Sequence, residues 1–227
     1  MPETDRSMPL HIDIVSDVVC PWCVVGYLQL QKALATMPGV FEVTVRWQPF
    51  ELNPQMPPEG QELREHLRQK YGSTPQQGSA ARQRLVEFGQ ALGFHFDYYD
   101  GMRMVNTFRA HQLLHWAEGF GLQTTLKMAL FEAFFSQRQD VNDPAVLVRC
   151  AQDVGLDAVE ASAVLGDGRY EDDVRRAQRH WQEREVYAVP AFFLQERYQV
   201  PGAQESPTWL RLLNKIHQRE SHAASGS

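Results

Sequence analysis

Apolar and polar positions divide the chain into two kinds of pattern. Residues 10–16 alternate and lead into a turn, which predicts a first strand. Apolar residues recur at helical spacing over residues 21–37, and Pro38-Gly39 ends this predicted helix. Residues 40–47 are rich in β-branched and aromatic side chains and predict a second strand. The order strand, helix, strand predicts a right-handed crossover between parallel strands.

From residue 59 to residue 180 the periodicity is helical throughout. Two short runs at residues 191–194 and 198–200 then predict a hairpin, and Ser206 or Pro207 opens a last helix. The helices predicted in the middle stretch cover residues 62–71, 75–92 and 124–138, and others start at Asn106, Asp143, Asp157 and Arg169.

The whole pattern predicts an α/β fold with the order β-α-β, inserted helices, β-β-α. The α/β core takes residues 9–58 and 181–218 and is discontinuous in sequence. Residues 59–180 form a large inserted all-helical domain. Residues 1–8 and 219–227 are predicted as disordered tails, because polar chain ends are poorly ordered unless something holds them.

Composition narrows the classes of function. The net charge is −6 and there is no basic stripe, which argues against nucleic acid as a partner. No run of about 18 apolar residues predicts a membrane span, and the polar first residues lack the apolar segment of a signal peptide. Three cysteines are too few for a structural disulfide framework. We therefore expect a cytoplasmic protein in which any disulfide is transient.

The segment Cys20-Pro21-Trp22-Cys23 carries the main chemical signal, because it joins the first strand to the first helix. Proline suits the first helical position, so Cys20 caps the helix and Cys23 lies one turn inside. Unpaired N–H groups and the helix dipole favour a thiolate at the cap. We expect the pKa of Cys20 to fall below its ordinary value of about 8.5. Cys20 is then the exposed nucleophile and Cys23 the more buried resolving thiol.

Two other interpretations of this cysteine pair carry less weight. A zinc site needs about four ligands, and the only other cysteine, Cys150, is expected in an apolar helix face. Both cysteines could also be inert core residues, but a C-x-x-C beside a β-α-β pattern favours redox chemistry. His111 and His115 have the spacing of metal ligands on a helix, yet packing is the stronger interpretation without a third ligand.

A second signal lies at Val189-Pro190, directly before the predicted hairpin. Proline is unusual before a strand that has to pair with a neighbour. A proline at the edge of the strand explains it. A cis bond explains it equally well and would expose the backbone of Val189 to an extended substrate. Both interpretations stay open at this point.

Four segments together resemble the DsbA-like thioredoxin-fold family, and within it the FrnE-type oxidoreductases. The resemblance spans residues 10–217 and implies a thioredoxin-like fold with an inserted helical domain and thiol–disulfide oxidoreductase activity. It implies Cys20 as nucleophile, Cys23 as resolving thiol and Pro190 as a cis-proline. The matching segments are residues 16–23 (SDVVCPWC), 50–54 (FELNP), 106–111 (NTFRAH) and 200–204 (VPGAQ).

The chain departs from the wider fold at one position. Many thioredoxin-fold proteins have a buried acid six residues before the nucleophile, where this chain has Ile14. Asp13 is one residue away and is expected on the other side of the strand. Proton transfer to Cys23 would then depend on water.

The same superfamily suggests an alternative function. Glutathione-dependent isomerases of the 2-hydroxychromene-2-carboxylate type and kappa-class transferases share this architecture but have serine where Cys20 stands. Glutathione would then be a co-substrate. A third hypothesis is a binding module whose insertion docks a partner and whose thiols sense redox state.

The sequence therefore predicts a thiol–disulfide oxidoreductase with no metal and no bound cofactor. Its partner would be a protein with a disulfide or dithiol, or a small thiol, and the protein would be a monomer or homodimer. Asn53 and Arg109 are candidates for the cleft between core and insertion, although local hydrogen bonds explain them as well. The predicted catalytic residues are Cys20 and Cys23, and the predicted substrate-binding residues are Pro21, Trp22, Val189, Pro190, Asn53 and Arg109.

Overall fold

The structure, a computed structural model, describes residues 7–225 and side chains as far as His222. Strand β1 (Met8–Ser16) leads into helix α1 (Pro21–Ala35), which leads into β2 (Phe41–Pro49). The two strands pair in parallel, as predicted, with Met8 opposite Phe41 and Ser16 opposite Pro49. Pro38-Gly39 does follow α1, and Gly39 has a φ of 76°, which a residue with a Cβ adopts only with strain.

The C-terminal part completes the sheet. Strands β5 (Ala191–Leu194) and β6 (Tyr198–Pro201) form the predicted hairpin, and the strand order is β2-β1-β5-β6. β1 therefore lies inside the sheet, and its side chains from Ile14 to Ser16 are buried. Helix α9 (Ser206–Ser225) packs beside α1, with Trp209 edge-on to Phe192 at 4.9 Å between ring centroids.

The inserted segment is mainly helical, as predicted, and the 75–92 helix has the predicted bounds. Thr74 accepts a hydrogen bond from Gln77 N–H in a capping box at its start, and Gly93 ends it with a φ of 76°. The inserted helices are α2 (Leu63–Tyr71), α3 (Pro75–Leu92), α4 (Phe108–Glu118), α5 (Gln123–Phe135), α6 (Pro144–Asp153), α7 (Ala158–Asp167) and α8 (Glu171–Glu183).

The structure differs from the sequence-based prediction of the insertion in two details. The insertion is not wholly helical, because β3 (Gln61–Glu62) pairs with β4 (Arg103–Met104). The predicted boundary between residues 180 and 181 falls inside α8, which continues until Trp181 packs on Phe193 at 4.6 Å.

The predicted tails differ as well. Residues 1–6 lie outside the described residues, and Met8 already belongs to β1. At the other end, α9 continues through residues 219–225 instead of becoming disordered. Glu220 accounts for part of this order, because its carboxylate accepts a hydrogen bond from the Tyr198 hydroxyl at 3.1 Å.

Core and insertion share one apolar interior. Trp47 at the end of β2 lies edge-on to Phe131 of α5, with ring centroids 6.0 Å apart. Gln123 at the start of α5 accepts a hydrogen bond from Trp47 N–H at 2.8 Å and donates one to Trp47 C=O at 3.0 Å. These two hydrogen bonds fix α5 against the edge strand β2. No helix among residues 7–225 has both the length and the apolar character needed to cross a bilayer.

A candidate dithiol site between the sheet and the inserted helices

The two cysteines lie where the sequence predicts them. Cys20 is the extended residue before α1, Pro21 is the first helical residue, and Cys23 lies in the first turn. Both thiols are free. Cys20 is 4% exposed and Cys23 is fully buried, so the expectation of an exposed Cys20 is wrong in degree. Access to Cys20 is through a cavity, because it lines the cavity wall and Cys23 does not.

The Val189–Pro190 segment faces the same thiol. The Val189–Pro190 peptide bond is cis, which agrees with one of the two interpretations of the sequence. The Cys20 Sγ lies 3.7 Å from the Val189 carbonyl oxygen, to which a thiol can donate. Gly202 N–H donates to the Pro190 carbonyl at 2.8 Å and holds this loop to the end of β6.

Close packing between α1 and this loop depends on Gly26. A Cβ built at Gly26 would lie 3.1 Å from Phe192 and 3.2 Å from Pro190. These distances are tighter than ordinary van der Waals contact, so a side chain here would push α1 away from β5. The glycine thereby keeps the cysteines of α1 near Val189.

The cavity beside Cys20 has a volume of about 290 Å³ and is lined by the core on one side and by inserted helices on the other. Pro21, Trp22, Asn53 and Val189, four of the predicted substrate-binding residues, line it. Trp22 is 40% exposed and lies edge-on to Phe88 of α3 at 5.8 Å. Most of the other lining groups are apolar, and they include Leu63, Leu67, Leu85, Met102, Met104, Phe134 and Phe135.

The other two predicted substrate-binding residues do not line this cavity. Pro190 lies behind it, in contact with the α1 side. Arg109 is exposed on α4 and is not part of the cavity wall, so the structure does not bring it to the thiols. Asn53 lines the cavity, but its Oδ1 already accepts a hydrogen bond from Lys70 Nζ at 2.7 Å.

A buried polar cluster lies behind the cysteines. Asp17 is fully buried, and its Oδ2 accepts a hydrogen bond from Leu52 N–H at 2.7 Å. His111 Nε2 lies 3.0 Å from the Phe50 carbonyl oxygen, which can only accept, so this nitrogen carries a hydrogen. The same nitrogen is 3.4 Å from Asp17 Oδ1. Burial alone would raise the pKa of Asp17, but His111, Leu52 N–H and the charge of Lys127 together lower it.

Lys127 of α5 completes the cluster. Its side chain has no exposed surface, and its Nζ has no hydrogen-bond partner among the described residues. The ammonium lies 5.2 Å from the ring centroid of Trp47 and 5.0 Å from that of Phe131. Burial lowers the pKa of Lys127 to about 8, while negative charge at Cys23, Asp17 and Cys20 acts to raise it. An ammonium without a hydrogen-bonded partner is costly to bury, so its position calls for a functional explanation.

The two thiols act on each other's pKa, as do the groups around them. The pKa of Cys20 is raised well above its ordinary value, by its hydrogen bond with Cys23, by burial and by the charge of Cys23. Burial acts to raise the pKa of Cys23 too, but hydrogen bonds from Cys20 and Ser16 and the charge of Lys127 lower it. Because the two thiols are hydrogen-bonded to each other, the pair carries one negative charge before it carries two. The helix N-terminus favours that charge on Cys20 and Lys127 favours it on Cys23, so the low pKa of Cys20 stays a prediction.

Sequence reasoning missed Lys127 and assigned His111 to packing. The signal for Lys127 was a cation within the apolar series Leu126, Leu130 and Phe131 of a predicted helix, where lysine is rarely found. The signal for Asp17 was an acid inside an otherwise apolar strand-to-helix turn. The acid that many thioredoxin-fold proteins have six residues before the nucleophile is absent, and Asp17, three residues before Cys20, is the buried acid instead.

Comparison with known proteins agrees with this architecture. The model of the DSBA-like thioredoxin domain family matches residues 11–214. The chain belongs to this family. It has a DsbA-like thioredoxin fold in which the helical segment is an insertion between the strands of the sheet.

Individual relatives agree with the assignment. A crystal structure of a probable DsbA oxidoreductase from Streptomyces coelicolor is 34% identical, with a TM-score of 0.85 over 91% of this chain and 89% of that one. The uncharacterised protein YwbO of Bacillus subtilis is 29% identical over 86% of this chain and 92% of its own length.

A third similar protein is more distant. The cytosolic disulfide reductase DsbM of Pseudomonas aeruginosa, in a structure with glutathione, has a TM-score of 0.63 and 19% identity. The match covers 92% of this chain and 99% of that one. At this identity the likeness concerns the fold.

Proposed function

We propose that this protein is a thiol–disulfide oxidoreductase in which Cys20 attacks and Cys23 resolves. The observation that carries the proposal is the arrangement of two free thiols one helical turn apart, with Cys20 on a cavity wall and Cys23 buried behind it. Thiolates attack disulfides through mixed-disulfide intermediates, and this arrangement supplies one accessible and one protected sulfur.

The first step transfers a proton between the cysteines. In the singly ionised pair one proton is shared in the hydrogen bond between the two sulfurs. When that proton lies on Cys23, Cys20 is a thiolate at the cavity wall. This thiolate attacks a substrate disulfide, a Cys20–substrate disulfide forms, and one substrate thiolate leaves and takes a proton from solvent.

The second step closes the pair. Cys23 gives its proton to solvent, attacks the Cys20 sulfur and releases the second substrate thiolate, which takes up a proton from solvent. A Cys20–Cys23 disulfide forms, and two electrons have passed from the protein to the substrate. The same steps in reverse oxidise a dithiol substrate.

Lys127 stabilises the charge needed in both steps. Its ammonium offsets the thiolate of Cys23 in a site from which water is excluded, where a nearby charge has a large effect. Lys127 is therefore a positioning residue for charge and does not touch the substrate.

The proposal extends to the subgroup of the family, to the location of the protein and to its redox partner. The segments around Cys20, Asn53, His111 and Pro201 resemble those of FrnE-type oxidoreductases, so we place the chain in that subgroup. The named location of the cytosolic DsbM supports a cytoplasmic location, and its bound glutathione supports a small thiol as a redox partner.

The alternative function is a glutathione-dependent isomerase or transferase. Such enzymes use a serine at the position of Cys20, and they have no need of a second sulfur at Cys23. The free thiol of Cys23 and the buried Lys127, whose pKa the charge of Cys23 acts to raise, favour the dithiol reaction instead.

Turnover of a mixture of glutathione and a small disulfide separates the two functions. The oxidoreductase predicts that Cys20→Ser loses at least about a hundredfold in disulfide turnover, because the attacking atom is gone. It also predicts that Cys23→Ser accumulates a stable mixed disulfide. Cys150→Ala serves as the matched control and keeps full turnover. Equal turnover of Cys20→Ser and the wild type would end the proposal, and full turnover by Cys23→Ser would favour the glutathione-dependent alternative.

A further inference from the structure

Two polar groups in the cavity wall have no partner. The Tyr98 hydroxyl is buried and forms no hydrogen bond within residues 7–225. Arg82 of α3 is half-buried and lines the same cavity. Its guanidinium forms no hydrogen bond or ion pair with the residues that the structure describes. Buried polar groups are normally satisfied, so the Tyr98 hydroxyl indicates a place for a ligand, and Arg82 is a cation without a protein partner in the same cavity wall.

The neighbouring charges are already engaged. Lys70 Nζ donates to the Leu52 carbonyl at 2.6 Å and to Asn53 Oδ1 at 2.7 Å. The acids closest in the fold are also occupied, because Glu62 accepts from Glu65 N–H at the start of α2 and Asp100 pairs with Arg64. Arg82 is therefore the cavity cation that is left to bind an anion.

Tyr98 and Arg82 present donors and no competing acid. Burial raises the pKa of Tyr98, so this side chain stays a neutral hydroxyl that can donate. Tyr98 and Arg82 both line this cavity and also a smaller pocket beside it, which places the two groups near each other. A planar carboxylate can accept from a guanidinium and a hydroxyl at once, and such charge-assisted hydrogen bonds are stronger than neutral ones.

The remaining wall and the size of the cavity limit the occupant further. Leu63, Leu85 and Phe134 give an apolar lining between two helices and the loop of Cys20. A volume of about 290 Å³ is at the lower end of small-molecule sites, which run from roughly 300 to 1,000 Å³. A folded protein could not enter it.

Given the proposed exchange chemistry at Cys20, we propose that the substrate is a small disulfide with a carboxylate beside an apolar group, held by Arg82 and Tyr98. The Cys20 thiolate displaces one half of this disulfide as a thiolate, and Cys23 displaces the other. The disulfide gains two electrons and leaves as two thiols after protonation. Two molecules of a low-molecular-weight thiol then attack the Cys20–Cys23 disulfide in turn, return the two electrons and leave as their own disulfide.

Two aromatic disulfides that differ in charge test the proposal. Reduced protein is mixed with dithiobis-nitrobenzoate, which carries carboxylates, or with dithiodipyridine, which is neutral, and thiol release is followed by absorbance. Arg82→Gln should slow the carboxylate probe about tenfold and change the neutral probe by less than about twofold. Tyr98→Phe should also slow the carboxylate probe more than the neutral probe, but the ratio of the two rate losses should be smaller than for Arg82→Gln.

Matched controls separate binding from general effects. Arg84→Gln removes the same charge from an exposed position two residues away, and it should change neither rate. Arg82→Lys should recover part of the lost rate, because a cation is restored without the planar fork. Reaction that persists in Cys20→Ser is subtracted, since it comes from other thiols.

The outcomes are distinct. A loss specific to the carboxylate probe supports the proposal. Equal losses with both probes, or no loss in Arg82→Gln, would overturn it. The proposed function is judged separately by stoichiometry, because a working pair releases two probe thiols per protein and Cys23→Ser releases one. Release of one thiol by the wild type would sink the dithiol reaction whatever the charge preference.

Discussion

The thioredoxin-like core and the inserted segment contribute different things to the site. The core supplies the reacting sulfurs, Cys20 and Cys23, from the turn between β1 and α1. The insertion supplies Lys127 and His111 behind the sulfurs and Tyr98 and Arg82 in front of them. We therefore propose that the core fixes the reaction, whereas the insertion sets the charge balance and the choice of substrate.

The insertion can perform this task because it is anchored to the core by buried contacts. Gln123 bonds to both backbone groups of Trp47, and Lys127 follows one turn later on the same helix face. An exposed contact, the ion pair of Arg46 with Glu118, spans the same two regions. Substitutions at these contacts therefore test how far the two regions depend on each other.

The largest expected effect is on stability and comes from Lys127. Its pKa falls from 10.5 to about 8 on folding, so between these pH values the unfolded chain binds more protons and stability rises with pH. This rise amounts to about 3 kcal/mol. In the disulfide form, where the thiols do not titrate, Lys127→Met should lack this rise. Urea unfolding of both proteins from pH 7 to pH 10.5 measures it, and parallel curves would contradict the buried charge.

Gln123→Ala comes next. It leaves the buried N–H and C=O of Trp47 without partners, which should cost about 1–3 kcal/mol in the free energy of unfolding. Gln152→Ala is the control, because Gln152 is exposed on α6. We expect no such loss of unfolding free energy in Gln152→Ala. A loss in Gln123→Ala no larger than that of Gln152→Ala would mean that α5 is held to the sheet by apolar packing alone.

Lys127→Met should slow the reaction of the thiols with a disulfide about tenfold at pH 7. Without the ammonium, the pKa of the reduced pair rises, so reaction with a neutral disulfide slows at pH 7. The rate should recover at a pH above the new pKa, which loss of structure would not allow. Thiolate absorbance against pH gives the shift directly. An unchanged profile would remove Lys127 from the chemistry.

The smallest effect is expected at the exposed link. Glu118→Ala breaks its ion pair with Arg46, whose side chains are 34% and 57% exposed. Solvent screens such pairs, and the change in unfolding free energy should stay below about 0.5 kcal/mol. Thermal unfolding checks this, and a loss as large as that of Gln123→Ala would reverse the ranking of buried and exposed contacts.

Local chemistry explains which parts of the fold were predictable. Thr74-Pro75 at the start of α3 and Gly93 at its end gave the bounds of that helix, because caps and breakers act within a few residues. The pairing of β3 with β4 joins residues about forty positions apart, and two-residue strands leave no periodic signal. The helical end of α9 depends on contacts such as that of Glu220 with Tyr198, which only the folded chain provides.

The candidate site also has a part that the sequence made predictable and a part that it did not. Cys20, Cys23 and Pro190 were predictable, because their chemistry lies in short motifs. Lys127 acquires its role only through burial against Trp47, a residue 80 positions away in the chain. Its charge adds to the hydrogen bonds from Cys20 and Ser16 that lower the pKa of Cys23, and no short motif indicates that effect. Arg109 was chosen from a motif, and its exposure on α4 removes it from the cavity wall.

Equilibration of the protein with mixtures of reduced and oxidised glutathione, followed by peptide mapping, tests the central claim most directly. We expect a reversible disulfide that joins the peptides of Cys20 and Cys23, with a two-electron dependence on the ratio of the two forms. Cys150 should remain a free thiol at every ratio. Absence of the joined peptides at the most oxidising ratio, or a disulfide that includes Cys150, would contradict the account.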